Sequence, residues 1–180
     1  MIRLPNSRLF ANDRGAAVIE MALVAPILAL TVIGIVDMSN AYSRKLAAEQ
    51  GAQRAIEKIM QTTETSTVAT TLKTEAVCQV NGLNANGTCK TSPITAANVT
   101  VTYRLECKHP TSGAIAATYT TTDVTTHDNT DCPSATQKEQ RYIEVKVDDK
   151  YDPLFPIHFA SFTSADGTYH VSATAGMRTQ

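Results

Sequence analysis

Histidines, cysteines and a short run of aspartates are the side chains with which this chain could do chemistry. His109, His127, His158 and His170 are scattered, with no H-E-x-x-H and no companion one helical turn on, so metal ligation is not indicated. Cys78, Cys89, Cys107 and Cys132 form neither the C-x-x-C of a redox pair nor the closely paired cysteines of a zinc site. Asp148, Asp149 and Asp152 have the ligand type for calcium but lack the glycine and the distal glutamate of an EF-hand loop. Acids in that position are expected to be exposed at a strand end. No G-x-S-x-G, Walker A or G-x-G-x-x-G occurs. No nucleophile and base can be paired, so the chain is read as a non-enzyme with no catalytic residue, no metal and no cofactor. Asn86-Gly87-Thr88 and Asn98-Val99-Thr100 match the acceptor tripeptide of N-glycosylation, a pattern common by chance.

The even number of cysteines points instead to disulfides, which persist in a periplasm or outside a cell. Three pairings are open. Cys78–Cys89 and Cys107–Cys132 are the pairs that each close a local, polar, turn-rich loop, stabilising the fold by about 3 kcal/mol per bridge on the chain-entropy account. The part of the chain that carries them is therefore expected on the periplasmic or exterior side of a membrane.

That membrane is announced by AAVIEMALVAPILALTVIGIV, between Gly15 and Asp37, whose one charge is Glu20. The run approaches the ~20 residues that a helix needs to cross a bilayer. A soluble amphipathic helix would show polar positions every three or four residues. A cleaved secretory signal ending at Ser39-Asn40-Ala41, a plain anchor, and a membrane helix behind a short processed leader all compete for it. Positive charge does not orient the helix, because Arg3, Arg8 and Arg14 before it balance Arg44, Lys45 and Arg54 after it. Glu20 needs its own explanation, since a carboxylate at the centre of a membrane helix costs roughly 2.5–3.5 kcal/mol and less near an end. The positive end of the helix dipole favours it there.

The basic opening MIRLPNSRLFANDRG, the glycine that ends it, the apolar run and the glutamate resemble the N-terminus of type IV pilins. The wording RGAAVIEMALVAPILALTVIGIVDMSNAY is more particularly similar to the TadE-like family of tight-adherence (Tad) pilus systems. The resemblance implies cleavage between Gly15 and Ala16 by a membrane prepilin peptidase. It also implies pairing of Glu20 with the freed α-amino group of Ala16, its own or a neighbour's, which sets subunit register.

After Asp37 the sequence becomes two-sided. Tyr42, Leu46, Ala52, Ile56, Ile59 and Met60 are expected along one helical face, with Arg44, Lys45, Glu49, Arg54, Glu57 and Lys58 largely elsewhere. From Ala16 to Met60 such a rod is about 67 Å long. Pro26 is expected to kink it, and Gly51 to cost up to ~1 kcal/mol without ending it. Beyond Gln61 the period changes to two: NVTVTYRLEC, RYIEVKVDDKY and TYHVSATAGMR alternate apolar and polar residues, and a weaker strand lies around 114–122. Thr-rich stretches at 62–76 and 111–130 read as exposed strands, turns or linkers. The fold class is α+β: a long membrane-spanning helix that continues as an amphipathic helix, packed on an antiparallel sheet of about four strands. The divisions are a basic leader over 1–15, the transmembrane helix over 16–37 and the amphipathic helix over 38–61. A Thr-rich, disulfide-bearing linker over 62–97 and a β domain over 98–180 follow.

The segments Val145-Lys146-Val147, Tyr151 to Pro156 and Ala173 to Arg178 are similar to the closing half of TadE-like domains, so the resemblance covers about residues 10–60 and 141–180. Leu154, Phe155, Ile157, Phe159 and Phe162 form an apolar group that packs on the chain's own core or docks a partner subunit. Near-zero net charge with no basic block argues against nucleic acid as a partner. The sequence thus reads as a minor pilin or pseudopilin of a Tad-type machine. Its place is the inner membrane, single-pass, with a periplasmic or pilus-exposed domain, and its partners are the peptidase and other pilin subunits. The alternative is a secreted or membrane-anchored adhesive or ligand-binding envelope protein.

Overall fold

Ala, Leu, Glu, Lys and Gln between Asp13 and Gln61 favour helix, and helix α1 spans Asp13–Gln61 with Pro26 inside it. The computed structural model describes residues 13–61, 69–155 and 164–179. The chain divides into two compact units, Met1–Asn40 and Ala41–Gln180. The described part of the first unit is the opening of α1. The second holds the rest of α1, a second helix α2 (Ala69–Asn81), a short helix α3 (Val124–Asp128) and four strands. These are β1 (Val99–Lys108), β2 (Ile115–Thr121), β3 (Lys138–Tyr151) and β4 (Tyr169–Arg178).

The strands form one antiparallel sheet in the order β2-β1-β3-β4. Val99 faces Val147, Val101 faces Val145 and Tyr103 faces Ile143, while Val147 and Val145 in turn face Ala173 and Ala175. Successive side chains of a strand point to opposite sides, so these odd-numbered residues share one face. They join a core with Ala48, Ala52, Ala55, Ile56 and Ile59 of α1 and Leu72, Ala76 and Val77 of α2. Thr100, Glu144, Lys146, Ser172 and Thr174 occupy the exposed opposite face. One face covered by helices and one wet is the arrangement that alternation in an antiparallel sheet allows.

Two expectations are corrected here. Tyr42, Leu46 and Met60 are exposed, and the buried face of α1 is built from Ala41, Ala48, Ala52, Ala55, Ile56 and Ile59. Small side chains let a helix approach its neighbour more closely than large ones. Gly51 sits at a close approach: a Cβ there would stand 2.6 Å from Val80 Cγ2 and 3.0 Å from the Ala76 carbonyl oxygen, both on α2. Lys58 and Glu75 join the same two helices by an ion pair at 3.3 Å. The second correction is α2 itself, since residues 69–76, read as strand, turn or linker, are helical. Weak helix formers hold that form because Leu72, Ala76 and Val77 are buried in the common core.

Candidate functional site

In α1 the side chains from Val18 to Val32, Glu20 among them, are all exposed, as is Gly15. Ile19 is 71% and Ile35 68% exposed, and the most apolar stretch has none of its residues buried within the chain. Length and composition make this one helix apolar enough to cross a membrane. Such a surface is stable against lipid or against other apolar helices. Water would leave many large apolar side chains unsatisfied at roughly 1.5–3 kcal/mol each. The position of Glu20, in the first turns of the helix, places its charge on the side of the positive dipole end. Most of the basic leader lies outside the described residues.

Residues 15–56 match the family model of TadE-like proteins. The TadE-like match begins at Gly15, takes in Ala16, Glu20 and the whole apolar stretch, and ends on the core-facing side of α1 at Ile56. It supports a pilin-like protein related to Tad pili, and the apolar helix supports a membrane anchor. The second region of resemblance, 141–180, lies beyond the TadE-like match, as do the cysteines. No curated protein and no solved structure matches the chain.

The structure pairs Cys78 with Cys89 and Cys107 with Cys132. The first bridge ties the end of α2 to a small hairpin in which Leu83 bridges Cys89. Gly82, at φ 75°, ends α2 in the left-handed region, and its N–H donates to the Cys78 carbonyl at 2.9 Å. Asn81 beside it is buried and pins the returning chain. Its amide donates to the carbonyls of Lys90 (2.8 Å) and Ile94 (2.7 Å), and its oxygen accepts from Ile94 N–H (3.0 Å). Sequence reading missed Asn81, whose signal was no more than a polar residue at a helix end beside a glycine. The second bridge ties β1 to the connection after α3. There the buried guanidinium of Arg141 donates to the carbonyls of His127 and Thr130, and Glu139 accepts from the Cys132 N–H. His127 is buried against the Tyr103 ring. Burial, then the charges of Asp128 and Asp123, push the Tyr103 hydroxyl up.

The aspartate cluster does not converge. Asp148 and Asp149 are neighbours on β3 and so point to opposite faces. Asp148 pairs with Lys146 at 2.9 Å on the wet face, and Asp152 is exposed beyond the strand. Asp149, expected to be exposed, is 4% exposed on the helix-covered face. One of its oxygens accepts from the Lys150 N–H at 2.8 Å, and Arg44 stands 3.9 Å from the other. Burial outweighs both and raises its pKa above the usual aspartate value. Among the described residues no three His, Cys, Asp or Glu side chains are grouped to hold a metal ion.

His109 and His170 are exposed and far apart in the fold, and His158 lies outside the described residues. Asn86 sits at the exposed hairpin turn, accepting from the Thr88 N–H and hydroxyl, whereas Asn98 is occupied by Thr95. Of the apolar group after β3, Leu154 and Phe155 are exposed at 64% and 38%. Ile157, Phe159 and Phe162 lie outside the described residues.

Proposed function

We propose that the chain is a minor pilin or pseudopilin-like structural component of a Tad-type pilus, inserted in the inner membrane and assembled through its N-terminal helix. The observation that carries this reading is the coincidence of the family match with an apolar stretch of α1 that the chain leaves unburied, behind a basic, glycine-ended opening. Residues 1–15 act as the leader, 16–37 as the spanning segment, and 38–61 as the part of the spine that carries the β domain. The disulfides suit a domain held on the periplasmic side and exposed on the pilus. A prepilin peptidase cuts after Gly15, where the missing Cβ lets backbone approach a catalytic pair closely. Glu20 then meets the new amino group of Ala16 in its own or a neighbouring subunit, which lowers the cost of a carboxylate in hydrocarbon. Close packing of small and branched side chains drives the helices together.

N-terminal mass analysis of the mature protein tests the reading. A chain beginning at Ala16 is expected. A chain beginning at Tyr42 would identify a secreted envelope protein, and one beginning at Met1 a plain anchor; either overturns the proposal. Replacement of Gly15 by a bulkier residue is expected to leave uncut precursor.

A further inference from the structure

Two asparagines of this chain precede glycine, at Asn81-Gly82 and Asn86-Gly87. Such a step carries its own chemistry, because a backbone nitrogen with no Cβ beside it approaches the asparagine carboxamide with little hindrance. Once that N–H has given its proton to base in solution, the nitrogen attacks Cγ. An N–Cγ bond forms, the Cγ–Nδ2 bond breaks, and ammonia leaves after taking a proton from water. The product is a five-membered succinimide. Water adds to one of its two carbonyls and opens it to aspartate or isoaspartate, with no oxidant or reductant involved. The reaction needs a carboxamide free to turn onto the next peptide nitrogen, and an N–H not held elsewhere.

The fold treats the two steps differently. Asn81 is 8% exposed at the end of α2. Its Nδ2 donates to the carbonyls of Lys90 and Ile94, and its Oδ1 accepts from the Ile94 N–H. The Gly82 N–H is held by the Cys78 carbonyl. Turning this carboxamide would leave the polar backbone groups of Ile94, a core residue, without partners. Those bonds open only when the surrounding core opens. Around the second step, residues 83–88 are all exposed. Asn86 Oδ1 accepts from the N–H and the hydroxyl of Thr88 at 3.1 and 2.7 Å, and the Gly87 N–H donates to the Asn84 carbonyl at 3.0 Å. The other bonds of this turn run from Asn84 to Thr88 and Cys89. The bonds that restrain Asn86 therefore close within 84–89 and face water, and breaking them disturbs no core contact.

We propose that Asn86-Gly87 is a site of spontaneous succinimide formation and deamidation, and that the hydrogen bonds of Asn81 withhold the other Asn-Gly step from the same reaction. Local opening of the turn supplies the reactive conformation while the Cys78–Cys89 bridge stays closed. The aspartate form places a negative charge on a hairpin, 81–89, that carries none. The isoaspartate form adds a methylene to the backbone and so breaks the spacing that lets Asn86 cap Thr88. None of this depends on the pilin reading or on any partner.

The full-length chain, held in mildly alkaline buffer and sampled over time, tests this by digestion and fragment-ion mass spectrometry. Conversion raises the residue mass by the difference between a hydroxyl and an amino group. Both asparagines fall between Lys73 and Lys90, so one tryptic peptide reports on both. In the folded chain Asn86 is expected to convert at least about tenfold faster than Asn81. In chain reduced and unfolded in denaturant, the two are expected to convert at similar rates, since neither is held. Asn86→Gln, which must close a larger ring, is expected to remove the mass gain while leaving the circular dichroism unchanged. A folded chain in which Asn81 converts as fast as Asn86 overturns the proposal. So does an Asn86 that stays intact in the folded chain while the unfolded chain converts, or an unfolded chain that keeps the same gap in rate. A mass gain that persists undiminished in folded Asn86→Gln chain overturns it as well.

Discussion

Asp149 shows how burial can outweigh an ion pair at the scale of one residue. Its Arg44 partner is half-buried and 3.9 Å away, so that attraction is partly screened, and desolvation prevails. A folded-state pKa above the unfolded value means that the carboxyl contributes stability fully below the unfolded pKa. That contribution is lost as pH rises through the folded one. Asp149→Asn is therefore expected to raise Tm at pH 7 and to flatten the pH dependence of stability above pH 4, read by thermal melts across that range. Asp166 has the opposite sign. His170, Lys150 and Thr168 hold its carboxyl below the usual range, so its contribution is present above the unfolded pKa and fades as pH falls through the folded one. Asn81 is a different case, a buried amide whose three bonds satisfy Lys90 and Ile94. Asn81→Ala leaves those backbone groups without partners and is expected to cost about 1–3 kcal/mol in a denaturant titration.

Between elements, the contact of α1 with α2 turns on Gly51. Alanine is the better helix former by up to ~1 kcal/mol, and sequence reasoning accordingly treats Gly51 as a small defect. The approach of Val80 and the Ala76 carbonyl reverses that sign. Overpacking there costs about 1–3 kcal/mol, so Gly51→Ala is expected to lower Tm and Gly51→Val to lower it further. The Cys78–Cys89 bridge holds α2 to its hairpin. Replacing both cysteines by serine is expected to remove about 3 kcal/mol of stability, measured against the same titration of the unaltered chain.

For the whole molecule, the prediction concerns assembly. Glu20 lies on the exposed apolar helix in the first unit, while the core sits in the second. Glu20→Ala is therefore expected to leave the circular dichroism and Tm of the β domain unchanged while reducing the number of assembled pili several-fold, counted by electron microscopy. An undiminished count would reject the role proposed for Glu20. On the proposed reading stability and assembly are separable at Glu20, which is exposed and not a member of the core cluster.

The sequence by itself determined what depends on near neighbours along the chain. The apolar stretch after Gly15 is legible because crossing a bilayer needs only an unbroken run. The strands around Val101, Val145 and Ala173 are legible because alternation is a two-residue property. Tertiary structure alone decided the helical state of Ala69–Asn81, whose threonines carry little local preference and whose stability comes from Leu72, Ala76 and Val77 meeting the sheet. It also chose Ala48, Ala52 and Ala55 over Tyr42 and Leu46 for the buried face, and took Asp149 out of water. Burial depends on what the rest of the chain brings to a residue, and that partner is not written in the residue's own neighbourhood.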